Sequence, residues 1–271
     1  MPGAGTGPPS VWVVVPCYNE ARRLPLHEFE SLLVRSDVAV LFVDDGSRDG
    51  TLELLRAFAG RFPRRAVVLP LAANRGKGEA VRAGMLHALA EGAAVVGYLD
   101  ADLATPPEEV LRLLAALEAG GWRAVLGSRV RLLGSEIRRS ALRHYRGRVF
   151  ATAASLALDL PVYDTQCGAK LFRSCPALAQ ALASPFRARW AFDVELLGRL
   201  MAPARAEGLR AADIVEVPLL RWSDVRGSKL GSWQMLRAAG ELLGVALRLR
   251  RARGRREKDR TGDGTLGAAR P

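Results

Sequence analysis

Short apolar runs that alternate with helical patterns are the feature that most limits how this chain can fold. The runs are rich in Val, Ile and Leu and lie at residues 11–15, 38–43, 66–69, 94–99, 124–126 and 214–217. Continuous apolar runs of this length are typical of parallel strands buried on both faces. Helical patterns lie between them at residues 22–34, 51–62, 78–90 and 107–119, and Thr105 is expected to cap the last. The alternation predicts an α/β fold with a mostly parallel, Rossmann-like sheet flanked by helices.

Two further helices are predicted in the second half of the chain. Residues 134–158 carry several basic side chains and then turn apolar, which is typical of one helix with a basic N-terminal part. Residues 231–250 place apolar side chains at three- and four-residue spacing, so one helical face is apolar. That face is expected either to lie in a membrane interface or to pack on the core. The predicted apolar face consists of Trp233, Leu236, Ala239, Leu243, Ala246 and Leu247.

The domain organisation follows from these elements. We expect a flexible N-terminus at residues 1–10, one α/β domain at 11–230, a basic amphipathic helix at 231–256 and a disordered tail at 257–271. Residues 248–271 hold nine Arg or Lys residues against three acidic ones, which gives +6 of the formal net charge of +12. Such a run suits an anionic surface, either lipid headgroups or nucleic acid, unless it is only a solvated tail.

The three cysteines favour a reduced, cytoplasmic protein. Cys17, Cys167 and Cys175 are too few for a disulfide framework and lack the spacing of a zinc site. The first ten residues lack the basic and apolar regions of a signal peptide. No run reaches the roughly 18 apolar residues that a membrane span needs. We therefore expect a cytoplasmic protein that contacts a membrane from one side.

Two carboxylates follow directly after the fourth apolar run. Asp100 and Asp102 stand one residue apart, where that strand is expected to break into a loop. Ligands of open α/β sheets bind beyond the carboxyl ends of the strands. Two carboxylates at this spacing can converge on one divalent cation, and hard oxygen ligands suit Mg²⁺ or Mn²⁺ bound to a diphosphate. The pair alone is a weak signal, and it gains weight from polar groups at neighbouring strand ends.

Polar groups also follow the first two predicted strands. The segment Pro16-Cys17-Tyr18-Asn19-Glu20 follows the first, and Asp44-Asp45-Gly46 follows the second, although the latter could also be a turn with a helix cap. Between these elements and the carboxylate pair lies Asn74-Arg75-Gly76-Lys77-Gly78, which combines glycines with cations at a predicted helix N-terminus. That combination favours anion binding. Neither the P-loop pattern nor the dinucleotide pattern GxGxxG is present.

Four segments, in order, resemble glycosyltransferase family 2. They are VVVPCYNE, VDDGSRDGT, NRGKGEAVRAGM and YLDADLATPPEEV. The resemblance implies the GT-A fold and inverting transfer from a nucleotide-sugar donor. It further implies that the first two segments bind the nucleoside, that the lysine of the third lies near the diphosphate, and that Asp100 and Asp102 hold Mg²⁺ or Mn²⁺. The donor-binding residues implied in this way are Pro16, Tyr18, Glu20, Asp44, Asp45, Lys77, Asp100, Ala101 and Asp102.

The second half of the chain is similar to the dolichyl-phosphate β-glucosyltransferases of this family. The similarity rests on DTQCGAKLF, RWAFDVEL, and EVP followed by GSK, and in all it covers residues 11–249. It implies transfer of glucose from UDP-glucose to a polyprenyl or dolichyl phosphate at the cytoplasmic face of a membrane. Two departures stand out. The N-terminal membrane anchor of the eukaryotic members is not seen, and Ala169 stands where the family usually has a bulky aromatic residue.

Catalysis is expected to need no strong base if the acceptor is a phosphate monoester, because its oxygen is already largely ionised near neutral pH. The cation and basic residues would stabilise the departing nucleoside diphosphate. Asp193 and Glu195 stand two residues apart at a predicted helix start, so they would point in different directions, and we expect Asp193 to face the site. Asp193, Asp102 and Lys229 make up the predicted catalytic set.

Acceptor binding is expected to involve cations and two segments of the second half. Arg138, Arg139 and Lys229 are candidates for contacting the acceptor phosphate. Gln166 could hydrogen-bond sugar hydroxyls or shape a turn. Trp190 could stack on a sugar ring or fill the core.

Other functions fit parts of the sequence. Transfer of mannose from a GDP donor, or transfer to a non-lipid acceptor, is the first alternative, because the donor motifs barely distinguish uracil from guanine. The DTQCG and RWAFDVELL segments favour glucose. A nucleic-acid-binding protein would account for the basic tail, but no interleaved aromatic residues, helix-turn-helix or zinc pattern accompanies it. A binding protein without turnover would not need both Asp100 and Asp102.

Overall fold

The computed structural model describes residues 8–138, 141–202, 208–224 and 238–250, without the side chains of residues 141–144 and 146. The strands are β1 (Val11–Cys17), β2 (Val38–Asp44), β3 (Ala66–Pro70), β4 (Val95–Leu99), β5 (Ala124–Ser128), β6 (Glu136–Arg138), β7 (Ala169–Arg173), β8 (Ile214–Pro218) and β9 (Arg221–Ser223). The helices are α1 (Thr51–Gly60), α2 (Lys77–Ala90), α3 (Pro107–Ala119), α4 (Ala141–Leu158), α5 (Pro176–Leu182), α6 (Phe192–Leu200) and α7 (residues 238–250).

The central sheet, within the described residues, has seven strands in the order β3-β2-β1-β4-β7-β5-β8. Every neighbouring pair is parallel except those of β7, which runs antiparallel to β4 and β5. The short strands β6 and β9 pair in a separate ribbon. The predicted mostly parallel α/β sheet flanked by helices is confirmed.

The strand order fixes where a ligand can bind. The chain moves outward from β1 to β2 and β3, and then returns to the other side of β1 with β4. Such a reversal leaves a crevice at the carboxyl ends of the adjacent strands. Because β7 is antiparallel, its first residue, Ala169, lies beside the last residue of β4, Leu99. The loop before β7 therefore reaches the same edge of the sheet.

Both faces of the sheet are covered by helices. Along β1, Val13 and Val15 pack in one core with α1, α3 and the 3-10 helix Leu26–Val34, whereas Trp12 and Val14 pack in another with α2, α4, α5, α6 and α7. This alternation follows from the two-residue period of a strand. Each fully buried Val, Leu or Phe stabilises the fold by about 1.5–3 kcal/mol. The two cores hold the carboxyl edge of the sheet in place.

Three expectations about local structure were wrong. Residues 134–158 form β6 and then α4 rather than one helix. Residues 22–34 contain only the 3-10 helix Leu26–Val34, since Pro25 has no N–H to continue a helix from the preceding turn. Thr105 does not cap α3, because Pro106 occupies the cap position and Pro107 starts the helix with a fixed φ.

Helix α7 covers the described part of the predicted amphipathic segment. Its buried positions are Ala238, Leu242 and Val245, while Leu243 and Leu247 of the predicted stripe are exposed. Trp233 and Leu236, also of that stripe, lie outside the described residues. Among the helices that the structure describes, none is long and apolar enough to cross a membrane. The cysteines are all free thiols, and two of them are buried.

Candidate functional site

The carboxylate pair lies directly beyond β4. Asp100 continues the pairing with β7, since its N–H donates to the carbonyl of Gly168 at 3.0 Å. Asp102 turns back into the loop, where its Oδ1 accepts the N–H of Ala104 at 3.1 Å. Ala101 between them is buried. The close pairing at Gly168 fixes the position from which the Asp100 side chain projects.

Lys77 joins this pair from the first residue of α2. Its Nζ lies 2.7 Å from Oδ1 of Asp100, and it also stands 5.9 Å from the ring centre of Phe192. Burial lowers the pKa of Lys77, but the charges of Asp100 and Asp193 outweigh it and leave the pKa above its ordinary value. A permanently charged amine therefore stands at the N-terminus of α2, where the helix dipole also favours anions.

The carboxylate pair carries unbalanced negative charge. The pKa of Asp102 is raised, first by burial and then by the charge of Asp100. Two carboxylates of this kind fit a divalent cation, whose charge would relieve their repulsion, and oxygen is the donor that Mg²⁺ and Mn²⁺ prefer. In the part of the chain that the structure describes, no group of three or more His, Cys, Asp or Glu residues gathers into a metal cluster. The carboxylate pair is thus the chain's described contribution to such a site.

Asp45 organises the loop before α2. Its two carboxylate oxygens accept the N–H groups of Arg75 and Gly76, each at 2.8 Å. Gly46 makes this approach possible, since it has φ +66° and a Cβ there would lie 2.7 Å from the backbone of residues 73 and 74. In this structure Asp45 therefore holds the loop before α2 against the end of β2.

The remaining predicted nucleoside residues line the ends of β1 and β2. Tyr18 is 41% exposed, and Pro16 is half-buried within β1. The carboxylate of Glu20 pairs with Arg23, with 2.6 Å between Oε1 of Glu20 and a guanidinium nitrogen of Arg23. Asp44 is buried, and its Oδ1 has no hydrogen-bond partner among the described residues. That oxygen is an acceptor available to a donor group on a bound nucleoside.

Asp193 and Glu195 point in different directions, as the sequence predicted. Oδ1 of Asp193 accepts a hydrogen bond from the Tyr98 hydroxyl and lies 3.0 Å from Nζ of Lys170, and its charge, like that of Asp100, raises the pKa of Lys77. Glu195 instead accepts two backbone N–H groups, from Arg187 at 3.0 Å and Ala188 at 2.8 Å, and pairs with Arg199. Asp193 thus belongs to the edge that carries Asp100, whereas Glu195 stabilises the loop before α6.

Gln166 and Trp190 are brought together. The Gln166 side-chain amide donates to the carbonyl of Trp190 at 3.4 Å. The half-buried Trp190 ring contacts Phe150 of α4 edge to face, with 4.9 Å between ring centres. The N–H groups of Trp190 and Ala191 donate to Glu241 of α7, at 2.8 and 3.1 Å. Three segments that are distant in sequence therefore meet around Trp190.

Of the three predicted acceptor cations, the structure describes only Arg138. Arg138 is exposed on β6 and pairs with Ser223 of β9, whose N–H donates to the carbonyl of Ala104 in the loop that carries Asp102. Arg139 and Lys229 lie outside the described residues. Arg189 was not singled out from the sequence, yet its exposed guanidinium lies 3.4 Å from the position that a Cβ of Gly76 would occupy. Its only sequence signal was its place at the start of the RWAFDVEL segment.

Two buried groups were also missed. Lys170 lies on β7 and is fully buried, and Gly168 precedes that strand at the point where it meets Asp100. The lysine inside the apolar run AKLF was a signal, because a buried lysine is almost always paired with a carboxylate or another acceptor. Ala169, which replaces the bulky aromatic residue usual in the family, is buried opposite Leu99.

The DTQ segment is fixed by buried charge. Arg129 pairs with Asp164, with 2.6 Å between Nε and Oδ2, and Glu216 accepts the N–H groups of Tyr163 and Asp164 at 2.6 and 2.8 Å. Burial alone would raise the pKa of Asp164, but the Arg129 charge and hydrogen bonds outweigh it and hold the pKa at about 2. The loop that carries Gln166 is therefore anchored from both sides.

This anchor predicts a loss of stability in acid. A carboxylate whose pKa is lowered on folding stabilises the protein above its unfolded pKa of about 3.9, and that stabilisation disappears as the pH falls toward 2. For Asp164 the contribution is about 2.5 kcal/mol. Urea unfolding of the wild type and of Asp164→Asn at pH 7, 4 and 2.5 should give a difference that shrinks toward low pH. A difference in unfolding free energy that stays constant from pH 7 to pH 2.5 would contradict this role.

Comparisons with known proteins agree with the geometry. A family model described as glycosyl transferase family 2 matches residues 12–176. A dolichyl-phosphate β-glucosyltransferase of Drosophila melanogaster is 36% identical over 253 residues, which cover 87% of this chain and 74% of the relative. A polyprenol monophosphomannose synthase of Mycolicibacterium smegmatis is 30% identical over 262 residues, which cover 93% and 96% of the two chains.

A solved structure supports the fold. Glucosyl-3-phosphoglycerate synthase from Mycobacterium tuberculosis, in complex with Mn²⁺, UDP-glucose and phosphoglyceric acid, superposes with a TM-score of 0.62 at 20% sequence identity, over 88% of this chain and 80% of that one. The same protein has also been solved with Mg²⁺ and UDP. The predicted GT-A fold is confirmed, and the chain belongs to glycosyl transferase family 2.

Proposed function

We propose that this protein is an inverting, divalent-cation-dependent transferase that moves glucose from UDP-glucose to a polyprenyl or dolichyl phosphate. The observation that carries the proposal is the meeting of Asp100, Asp102 and Lys77 at the carboxyl edge of β4. This edge offers carboxylates for a cation and an amine for a diphosphate. Similarity to dolichyl-phosphate β-glucosyltransferases over most of the chain supports the substrates.

The donor would lie along the ends of β1, β2 and β4. Tyr18 and the free Oδ1 of Asp44 are available to the nucleoside, and Lys77 to the diphosphate. Asp100 and Asp102 would hold the cation. When bound, Mg²⁺ or Mn²⁺ supplies positive charge to the leaving diphosphate. Lys77 would then exchange part of its contact with Asp100 for a phosphate oxygen.

The acceptor is proposed to be attacked without a strong general base. A phosphate monoester is largely ionised near neutral pH, so its oxygen can displace the diphosphate directly at the anomeric carbon. One in-line displacement inverts that carbon. The exposed guanidinium of Arg189, close to Gly76, is the described cation best placed to meet the incoming phosphate. Arg139 and Lys229 remain proposed partners outside the described residues.

A product analysis tests the proposal. Incubation with UDP-α-glucose and a short polyprenyl phosphate should give a lipid with β-linked glucose, and chelation of divalent cations should stop its formation. An α-linked product would exclude a single displacement. Transfer from GDP-mannose in place of UDP-glucose would instead favour mannosyl transfer, which the similarity to a polyprenol monophosphomannose synthase keeps as the second candidate.

We further propose that the enzyme lies on the cytoplasmic face of a membrane through α4 and α7. On α7, Leu243 and Leu247 are exposed one helical turn apart, and Arg250 follows them. On α4, Tyr145 and Val149 are exposed at the same spacing. Apolar side chains beside arginines are typical of helices that lie in an anionic lipid interface.

Both helices contact the loop that precedes α6. Phe150 of α4 packs on the Trp190 ring, and Glu241 of α7 accepts the Trp190 N–H. A lipid surface that meets the exposed faces of α4 and α7 would therefore lie against the two helices that hold Trp190 in place. This arrangement would present a lipid phosphate to the candidate site while the prenyl chain stays in the membrane.

Charge introduced on α7 should release the protein from vesicles. Burial of each leucine contributes about 1.5–3 kcal/mol, so Leu243→Glu with Leu247→Glu should weaken binding to phosphatidylserine-containing vesicles by about 100-fold or more in co-sedimentation. Val34→Glu is the control, because Val34 is also an exposed apolar residue but lies on the 3-10 helix of the opposite core. Equal pelleting of both variants would exclude α7 as the membrane contact.

A further inference from the structure

We propose that Lys170 and Tyr98 are positioning residues that fix the Asp193 carboxylate for sugar transfer. The inference rests on the proposed function, because it assumes that Asp193 meets the reacting groups. Both side chains are buried and polar, and neither takes part in the proposed contacts with the donor, the cation or the acceptor. The two residues face each other across the β4–β7 pair.

Both donors converge on one oxygen. The Tyr98 hydroxyl donates to Oδ1 of Asp193, and Lys170 Nζ lies 3.0 Å from the same atom. Lys170 Nζ also donates to the carbonyl of Cys167 at 2.5 Å, and it stands 5.2 Å from the Tyr98 ring centre. In the described part of the chain no group donates a hydrogen bond to Oδ2. The arrangement therefore holds one carboxylate oxygen and leaves the other for a ligand.

The energetics favour a functional reason for this cluster. A fully buried lysine is rare, and removing an ion pair from water costs about as much as the pair regains. Well-packed apolar residues would hold β4, β7 and α6 together at least as well. What an apolar pair cannot do is fix the orientation of a carboxylate. Two donors on Oδ1 remove the rotation that Asp193 would otherwise have.

The location of the cluster links it to the donor site. Phe192, the neighbour of Asp193, packs beside Lys77, whose Nζ holds Asp100. Gly78 allows this packing, since a Cβ there would lie 2.7 Å from the Cβ of Phe192. Asp193 is thus connected through one packed side chain to the residues that would hold the diphosphate. From this position Oδ2 can accept a hydrogen bond from the transferred sugar.

A double-mutant cycle separates positioning from structural support. Tyr98→Phe keeps the ring and removes one charge-assisted hydrogen bond, so it should lower kcat by about 10-fold with little change in the KM for the donor. Asp193→Asn should lower kcat further. If Tyr98 acts through Asp193, the double variant should have the kcat of Asp193→Asn within about 2-fold. The inference would be overturned if the kcat losses of the two single variants multiply in the double variant. It would also be overturned if Asp193→Asn has full activity.

Glu195→Gln supplies the matched control. Glu195 lies on the same helix and is as buried as Asp193, but it contacts neither Tyr98 nor Lys170. Tyr98→Phe combined with Glu195→Gln should therefore give losses that multiply. Coupling as strong as that with Asp193 would show a general effect on α6 and overturn the inference.

Lys170 is tested through rescue. Lys170→Met alone leaves Asp193 buried without its ion-pair partner and should lower the Tm by on the order of 10 °C. Adding Asp193→Asn should restore most of the lost Tm. The kcat of this double variant should not exceed that of Asp193→Asn alone. A failure to regain stability would contradict the pairing. If the wild type transfers no sugar to lipid, the proposed acceptor fails, and the same cycles can be read from slow hydrolysis of UDP-glucose.

Discussion

Replacing Asp102 by asparagine should lower kcat by about 1000-fold and leave the protein at least as stable as the wild type when no divalent cation is present. The activity should fall because the proposed cation at the leaving diphosphate would supply several kcal/mol of transition-state stabilisation, and about 4 kcal/mol corresponds to 1000-fold. The stability does not fall because burial and the Asp100 charge raise the pKa of Asp102. An acid whose pKa is raised on folding costs stability that builds up as the pH rises from the unfolded pKa to the folded pKa, and asparagine removes this cost.

Thermal unfolding and kinetics together check this prediction. In the wild type, Mn²⁺ with UDP should raise the Tm, because both bind the folded state. Asp102→Asn should lose most of that increase. Glu91→Gln is the control, since Glu91 is an exposed carboxylate at the C-terminal end of α2, at the opposite edge of the sheet from Asp102. Both its kcat and its Tm increase should match the wild type. An Asp102→Asn variant with near-normal kcat would contradict the proposed cation site.

Replacing Gly168 by alanine should lower kcat by about 100-fold while the protein still folds. A Cβ at residue 168 would lie 2.3 Å from Cγ and Oδ2 of Asp100, much closer than atoms can approach. The short Asp100 side chain must therefore rotate away, and its contact with Lys77 is lost or lengthened. A displacement of about 1 Å at a reacting centre can cost about 100-fold in rate. Steady-state kinetics with saturating Mn²⁺ measure this loss.

Gly60→Ala is the matched control for this substitution. Gly60 ends α1, and a Cβ there would meet nothing within 4 Å. Its activity should equal that of the wild type. Alanine is also the better helix former by about 1 kcal/mol, so the control should not be less stable. If Gly168→Ala were as active as Gly60→Ala, the Asp100 side chain could not have the fixed position that the cation site requires.

Much of the fold could be predicted because most of its strands have a local sequence signal, a continuous apolar run. The runs at β1, β2 and β4 are continuous and apolar, and their ends were predicted within two residues. Strand β7 could not be predicted in this way. Its apolar run is interrupted by Lys170, whose burial depends on Asp193, a residue 23 positions away. An antiparallel strand inserted between parallel ones also leaves no periodic signal of its own.

The candidate site was predictable in part for the same reason. Asp100 and Asp102 follow a strand, and Lys77 starts a helix, so their positions follow from the elements that carry them. Arg189 could not be predicted to approach the loop before α2, because that contact depends on how α6 packs on α2. Likewise, nothing local to Gly168 shows that the Asp100 carboxylate will lie against it.

Incorporation of labelled sugar into a polyprenyl phosphate, with UDP-glucose and GDP-mannose compared side by side, tests the central claim most directly. We expect a labelled product that is extractable into organic solvent from UDP-glucose alone, and only when Mg²⁺ or Mn²⁺ is present. A product from GDP-mannose alone would make the enzyme a mannosyltransferase on the same architecture. No lipid product from either donor, with hydrolysis of the donor intact, would contradict the proposed acceptor.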